Sequence, residues 1–106
     1  MNKKIEKIIK KLNIELSALI PDFCGVYVYG SQVRGDYTAD SDIDVVGIFK
    51  KINDKIESKL YKLISFLNYE EDVFIDIHPM TKRELNKNYF FHDEVVNKGI
   101  FYEPVR

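Results

Sequence analysis

Two short apolar runs, "FCGVYVYG" (23–30) and "DIDVVGIF" (42–49), are joined by a polar stretch with a Gly-Ser pair, an Arg-Gly pair and several aspartates. Both runs are rich in β-branched and aromatic residues, so each predicts a strand. The connection "SQVRGDYTADS" reads as a loop with one helical turn after Gly30-Ser31. A solvated loop needs no such concentration of glycine, arginine and carboxylate. A site for phosphate and divalent metal needs nearly all of it.

The rest of the chain supplies what would pack around such a hairpin. Ile5, Ile8, Ile9, Leu12, Leu16 and Leu19 recur at helical spacing and predict a helix over 3–20, closed by Pro21-Asp22. Its lysines read as a solvated face rather than a membrane or nucleic-acid contact. Ile56, Leu60, Leu63, Ile64 and Leu67 predict a second helix within 54–67. "DVFIDIHP" (72–79) predicts a third strand, stopped by Pro79. Thr81 and Glu84 have the spacing of a capping box. A last helical piece, 92–98, ends at Gly99 as a C-cap, and "IFYEPV" follows as an extended tail. The order predicts an α/β (α+β) fold, a small mixed β-sheet with helices packed on it, in one domain spanning residues 1–106.

Composition limits the alternatives. Hydrophobic residues make up 45%, enough for a real core, and the formal net charge is −1, which predicts attraction to neither nucleic acid nor membrane. The single cysteine, Cys24, cannot form an internal disulfide and reads as a small core residue. No apolar stretch approaches the roughly 18 to 20 residues that span a bilayer, so a cytoplasmic location is expected.

The candidate site begins with Asp42 and Asp44. Positions i and i+2 of a strand share a face, so both carboxylates emerge side by side where the apolar run starts. Such a pair repels itself unless a cation lies between, and Mg²⁺ takes oxygen ligands of this kind. The plainer reading is an acidic strand entry facing water. In "VFIDIH", Asp76 shares a face with Phe74 and His78. It becomes a third ligand if its strand lies beside the second, and otherwise a carboxylate on a half-exposed strand. On the anion side, Gly30 lets backbone N–H groups approach a phosphate and Ser31 adds a hydroxyl. Arg34, one turn on, can reach the same anion, and Gly35-Asp36 turn the chain back. Tyr37 and Thr38 in the loop are placed to touch a nucleotide or its acceptor. His78 and His92 read as structural. "NYFFHDEVV" (88–96) reads as core packing, unless Tyr89 or Phe90 is exposed and serves a partner.

Gly30, Ser31, Asp42 and Asp44 match the G-S-x10-D-x-D pattern of the DNA polymerase β-type nucleotidyltransferases, and Arg34-Gly35 and Ser41 match its common embellishments. "GSQVRGDYTADSDIDV" resembles in particular the minimal nucleotidyltransferase (MNT) group, and the likeness runs from the first helix to "NKGIFYEPV". The resemblance implies a polymerase β-like core and two Mg²⁺ ions. It also implies transfer of a nucleoside monophosphate from an NTP, here ATP, to a hydroxyl. Asp42 and Asp44 would hold both ions. Asp76 would bind the catalytic ion and help accept the proton of the attacking hydroxyl, with Asp72 as the fallback. Gly30 and Ser31, with Arg34 as a further candidate, would hold the β- and γ-phosphates.

Members that modify antibiotics or polynucleotides add a second domain for the acceptor, and none is evident here. No base-stacking strip marks a direct nucleic-acid substrate. As an MNT-like chain of this size it also resembles the antitoxin half of HEPN/MNT toxin–antitoxin pairs, and that resemblance implies adenylylation of a tyrosine on a partner HEPN toxin. Two other readings stand beside this one: a small-molecule nucleotidyltransferase of the aminoglycoside type, and a non-catalytic module that occludes a toxin.

Overall fold

A computed structural model describes residues 1–106. Helix α1, Lys3–Leu19, starts where the Asn2 side chain accepts the Ile5 N–H at 2.8 Å, and it stops two residues before Pro21. Strand β1, Phe23–Tyr29, leads through Gly30 into the one-turn helix α2, Ser31–Arg34. Strand β2, Ile43–Phe49, runs antiparallel to β1. Helix α3, Asp54–Glu71, begins at an Asn53 cap and ends at Asp72. Strand β3, Ile75–Met80, is parallel to β2. Helix α4, Lys82–Lys87, carries the expected capping box, with Thr81 and Glu84 satisfying each other's backbone N–H groups. Helix α5, Tyr89–His92, continues into a π-helical turn, Asp93–Asn97, and strand β4 is Ile100–Tyr102. The sheet order is β3-β2-β1-β4.

Period-two alternation along the strands gives the sheet two different faces. Val26, Val28, Ile43, Val45, Ile75 and Ile77 point to α1 and α3 and form the main core with Ile9, Leu12, Leu16, Leu60 and Leu67. The opposite face is covered by α4, α5 and the π-helical turn through a small cluster of Val46, Ile48, Leu85 and Val95. This second layer borders the β1–β2–β3 corner that holds the candidate site, where Phe91 packs edge-on against Tyr29 and His78.

Three expectations are corrected. Pro79 does not stop the third strand: it lies inside β3 opposite Gly47, which an edge strand tolerates because half its N–H groups face outward. The residues of "IFYEPV" are not a loose tail. Ile100–Tyr102 pairs with Val26–Val28, Asn13 donates to the Glu103 carbonyl at 2.7 Å, and Ser17 accepts the Val105 N–H at 2.8 Å. The last helix starts at residue 89, not 92, and its aromatic stretch is only partly core: Tyr89 and Phe90 are 79% and 84% exposed. Gly99 follows the helical end as expected, but its backbone is not left-handed. It is small because a Cβ there would meet the Val95 and Val28 carbonyl oxygens at 2.2 and 2.8 Å.

Candidate active site

The C-terminal end of β1 and the N-terminal ends of β2 and β3 meet at one corner of the sheet. Registry places Tyr29, Asp44 and Asp76 in one row across the three strands, Tyr29 opposite Asp44 and Asp44 opposite Asp76. Asp42 precedes β2 by one residue and is exposed, two positions before Asp44 and so on the same face. The Ile43 N–H donates to the Phe74 carbonyl at 2.9 Å, which ties the entry of β2 to β3. The structure thus brings Asp44 and Asp76 together as expected, with Asp42 at the rim.

This proximity has an electrostatic consequence. Partial burial raises the Asp44 carboxyl above its ordinary value, and the Asp76 and Asp42 charges raise it further against smaller opposing effects of His78 and Arg34. No lysine or arginine pairs with Asp42, Asp44 or Asp76; the nearest basic group is His78, whose Nε2 is 3.6 Å from Asp76. Tyr29 lies among the same charges. Burial first, then Asp44, Asp76 and Glu94, push its phenol up to about 12. It is therefore a neutral hydrogen-bond donor at physiological pH.

Gly30 joins this row to α2. It caps the turn with φ +79° and ψ −152°, and its carbonyl accepts the Val33 and Arg34 N–H groups at 3.1 and 3.0 Å. The Ser31 and Gln32 N–H groups lie ahead of these bonds, as the first donors of any helical turn do, and Ser31 is half-buried at the start of the turn. Arg34 is already engaged: Glu94 on the π-helical turn accepts from Nη1 at 2.9 Å, and Asp36 lies 3.4 Å from Nε. The loop beyond is closed by the Thr38 N–H donating to Ser41 Oγ at 2.8 Å. Beside it lies a hollow of about 500 Å³ lined by Tyr37, Thr38, Asp42, Asp72 and Phe74 among others. Asp72, the fallback ligand, is set apart from the row as the left-handed cap of α3.

Three members of this surround escape the sequence reading. Tyr29 has a signal, since Tyr27 and Tyr29 alternate with buried Val26 and Val28 and so face away from the main core. Gln32, only 2% exposed, has none, because a polar residue in a polar loop predicts solvent. Glu94 has none either, being brought to Arg34 across sixty positions of sequence.

The donor set suits a hard divalent cation: carboxylate oxygens of like charge, close together, with no basic side chain between them. No group of three acidic, histidine or cysteine side chains comes close enough together to hold a metal ion, so the expected Asp42–Asp44–Asp76 set does not converge. Mg²⁺ needs no such group, because it keeps several waters and binds through one or two carboxylates and substrate phosphates.

The chain is 32% identical over 99 residues to the "putative protein adenylyltransferase" of Methanocaldococcus jannaschii, covering 92% of this chain and 97% of that one. Among solved structures it resembles a toxin–antitoxin with AMP-PNP, with TM-score 0.65 and 22% identity over 95% of this chain and 74% of that one. It also resembles a chain of the tri-AMPylated Shewanella oneidensis HEPN toxin in complex with MNT antitoxin, with TM-score 0.52 and 18% identity over 96% and 68% of the two chains. At such identities these two likenesses are of fold. Residues 3–102 match the nucleotidyltransferase domain, and with the relative of 32% identity this shows that the chain belongs to the nucleotidyltransferase family.

Proposed function

We propose that this nucleotidyltransferase moves AMP from ATP to a hydroxyl, a tyrosine, of a partner HEPN toxin and acts as its antitoxin. The observation that carries the chemistry is the Asp44–Asp76 pair, adjacent in register and without a lysine or arginine partner, at the lip of the Gly30 turn. Asp42 and Asp44 would hold Mg²⁺, and Asp76 would share the ion next to the acceptor. When bound, two such ions stabilise the entering and leaving oxygens of an in-line displacement. The chain's own groups do the rest. Ser31 and the N–H groups behind Gly30 hold the β- and γ-phosphates, and Arg34 lends charge beside them. The acceptor oxygen attacks the α-phosphorus, the bond to the β-phosphate breaks, and pyrophosphate leaves. Asp76 takes the hydroxyl proton.

Support for a protein acceptor comes from the relative's name and from the toxin–antitoxin complexes of like fold. The open corner beside exposed Tyr89 and Phe90 also suits a docking protein better than an enclosed small molecule. The test uses ATP labelled at either the α- or the γ-phosphate, with Mg²⁺, this protein and a HEPN-domain protein encoded beside it. Label reaching the partner from the α-position alone is the expected result; label from γ alone would make the chain a kinase. The double variant Asp42→Asn, Asp44→Asn should fold and transfer nothing. If that variant still neutralises the toxin fully, the non-catalytic module is the correct reading.

A further inference from the structure

Gln32 is the most buried polar side chain outside the main core, and its position makes it more than filler. It sits in the second place of α2, directly after the Ser31 assigned to phosphate, and is 2% exposed. Its Nε2 faces two carbonyls, those of Ser41 and Asp42, at 3.5 Å each. Both distances are at the long end of hydrogen bonding, so the amide bridges two acceptors instead of making one short bond. Its Oε1 is buried with no partner. An orphaned buried acceptor costs about 1–3 kcal/mol. An apolar side chain of the same shape would therefore serve folding as well or better.

What the amide does accomplish is a tie across the site. Asp42 is exposed and its carboxylate has no salt bridge, so its direction depends on its backbone. That backbone is held on one side by Gln32 at the Asp42 carbonyl and on the other by the Phe74 carbonyl, which accepts the next N–H. The Thr38–Ser41 turn fixes the loop just upstream.

We infer that Gln32 is a positioning residue that sets the first carboxylate, Asp42, relative to the phosphate-binding turn, so that metal and triphosphate are held in one frame. The inference rests on the function proposed above and deepens it. Residues that orient a metal ligand from behind change metal affinity by about 10- to 100-fold when removed.

The test compares wild type with Gln32→Leu and Gln32→Met. It measures the melting temperature without metal, and then the Mg²⁺ concentration that gives half of the stabilisation by α,β-methylene-ATP, which cannot be cleaved at the bond the reaction breaks. The expected result is a metal-free melting temperature equal to or above wild type, with a Mg²⁺ requirement raised about tenfold. A purely structural glutamine would do the reverse. An unchanged Mg²⁺ requirement, or both variants melting well below wild type, overturns the inference. If wild type itself shows no Mg²⁺-dependent stabilisation by the nucleotide, the proposed function fails and the inference falls with it.

Discussion

Gly30 and Asp44 leave no room between them for a methyl group: a Cβ built on Gly30 would stand 2.5 Å from Asp44 Oδ2. The Gly30 turn and the carboxylate strand are thus set against each other by an absent side chain. The backbone at Gly30, φ +79° with ψ −152°, also lies where L-residues are strained. Two independent constraints fall on one residue, one on its backbone and one on the space left for the Asp44 carboxylate.

Gly30→Ala should therefore lose on both counts. Backbone strain of this kind costs about 1–3 kcal/mol, and displacement of Asp44 should abolish transfer even in the folded fraction. Gly35 is the control. It is left-handed at φ +90° and ψ 2°, but a Cβ there meets nothing within 4 Å. Gly35→Asn should fold and transfer AMP, because asparagine tolerates this region. Urea unfolding and α-label transfer on the two variants check this, and equal damage from both would remove the special status of the Gly30–Asp44 contact.

Asp44 should cost the metal-free protein stability at neutral pH. Its folded carboxyl titrates above its ordinary value of 3.8, first through burial and then through Asp76 and Asp42. The folded state thus prefers the protonated acid. That preference is fully present below 3.8 and is lost as pH rises through the raised folded value, leaving only the repulsion of the ionised group. Asp44→Asn should accordingly melt above wild type at pH 7, and the difference should shrink as pH falls toward 4. Mg²⁺ with ATP should stabilise wild type and not the variant. Melting curves with and without the ligands test both halves, and a variant less stable than wild type at pH 7 would contradict the electrostatic reading.

The local geometry of this corner was legible in the chain, and its frame was partly so. The strand ending at Gly30, the turn at Ser31 and the i, i+2 carboxylates follow from short-range rules that neighbouring residues enforce. The placement of Asp76 beside Asp44 needed one assumption, that the third strand pairs with the second, and the parallel β2–β3 register meets it. What could not be read depends on partners far along the sequence. Ile100–Tyr102 is a strand only because β1 offers an edge, and Glu94 belongs to the site only because the π-helical turn carries it to Arg34. Pro79 misled because the rule against proline holds for central strands, and sequence alone does not say which strand is at the edge.

Tyr29 offers a titration of the site's field. Its phenol is pushed up to about 12 by burial and then by Asp44, Asp76 and Glu94, from an ordinary value of 10. The folded state favours the neutral phenol, so this contribution to stability is intact below pH 10 and disappears as pH climbs through about 12. Tyr29→Phe should remove that share of alkaline destabilisation while leaving stability at pH 7 nearly unchanged. Comparing the pH dependence of unfolding for the two proteins between pH 9 and about 12 reads it directly. A wild-type curve parallel to that of the variant would mean that Tyr29 is less buried, and the carboxylates farther from it, than described.

The exposed aromatics offer a test of the proposed partner. The Asn88 side chain caps α5, accepting the Phe91 N–H at 3.1 Å, and so fixes which way the turn faces. Phe91 then points inward, edge-on to Tyr29 and to His78. Tyr89 and Phe90 point outward and pack only edge-to-face on each other. Neither contributes to either core cluster, so Tyr89→Ser with Phe90→Ser should change folding stability by no more than about 0.5 kcal/mol per site. Aromatic anchors at a protein interface cost about 2 kcal/mol or more when truncated, so transfer to a protein acceptor should fall at least tenfold at limiting partner concentration. Nucleotide binding with Mg²⁺ should stay at the wild-type level, because the Gly30–Asp44–Asp76 corner is untouched. Undiminished transfer by the double serine variant would place the docking surface elsewhere, and the exposed face of α3 with Phe66 and Tyr69 is where the same substitution should then be tried.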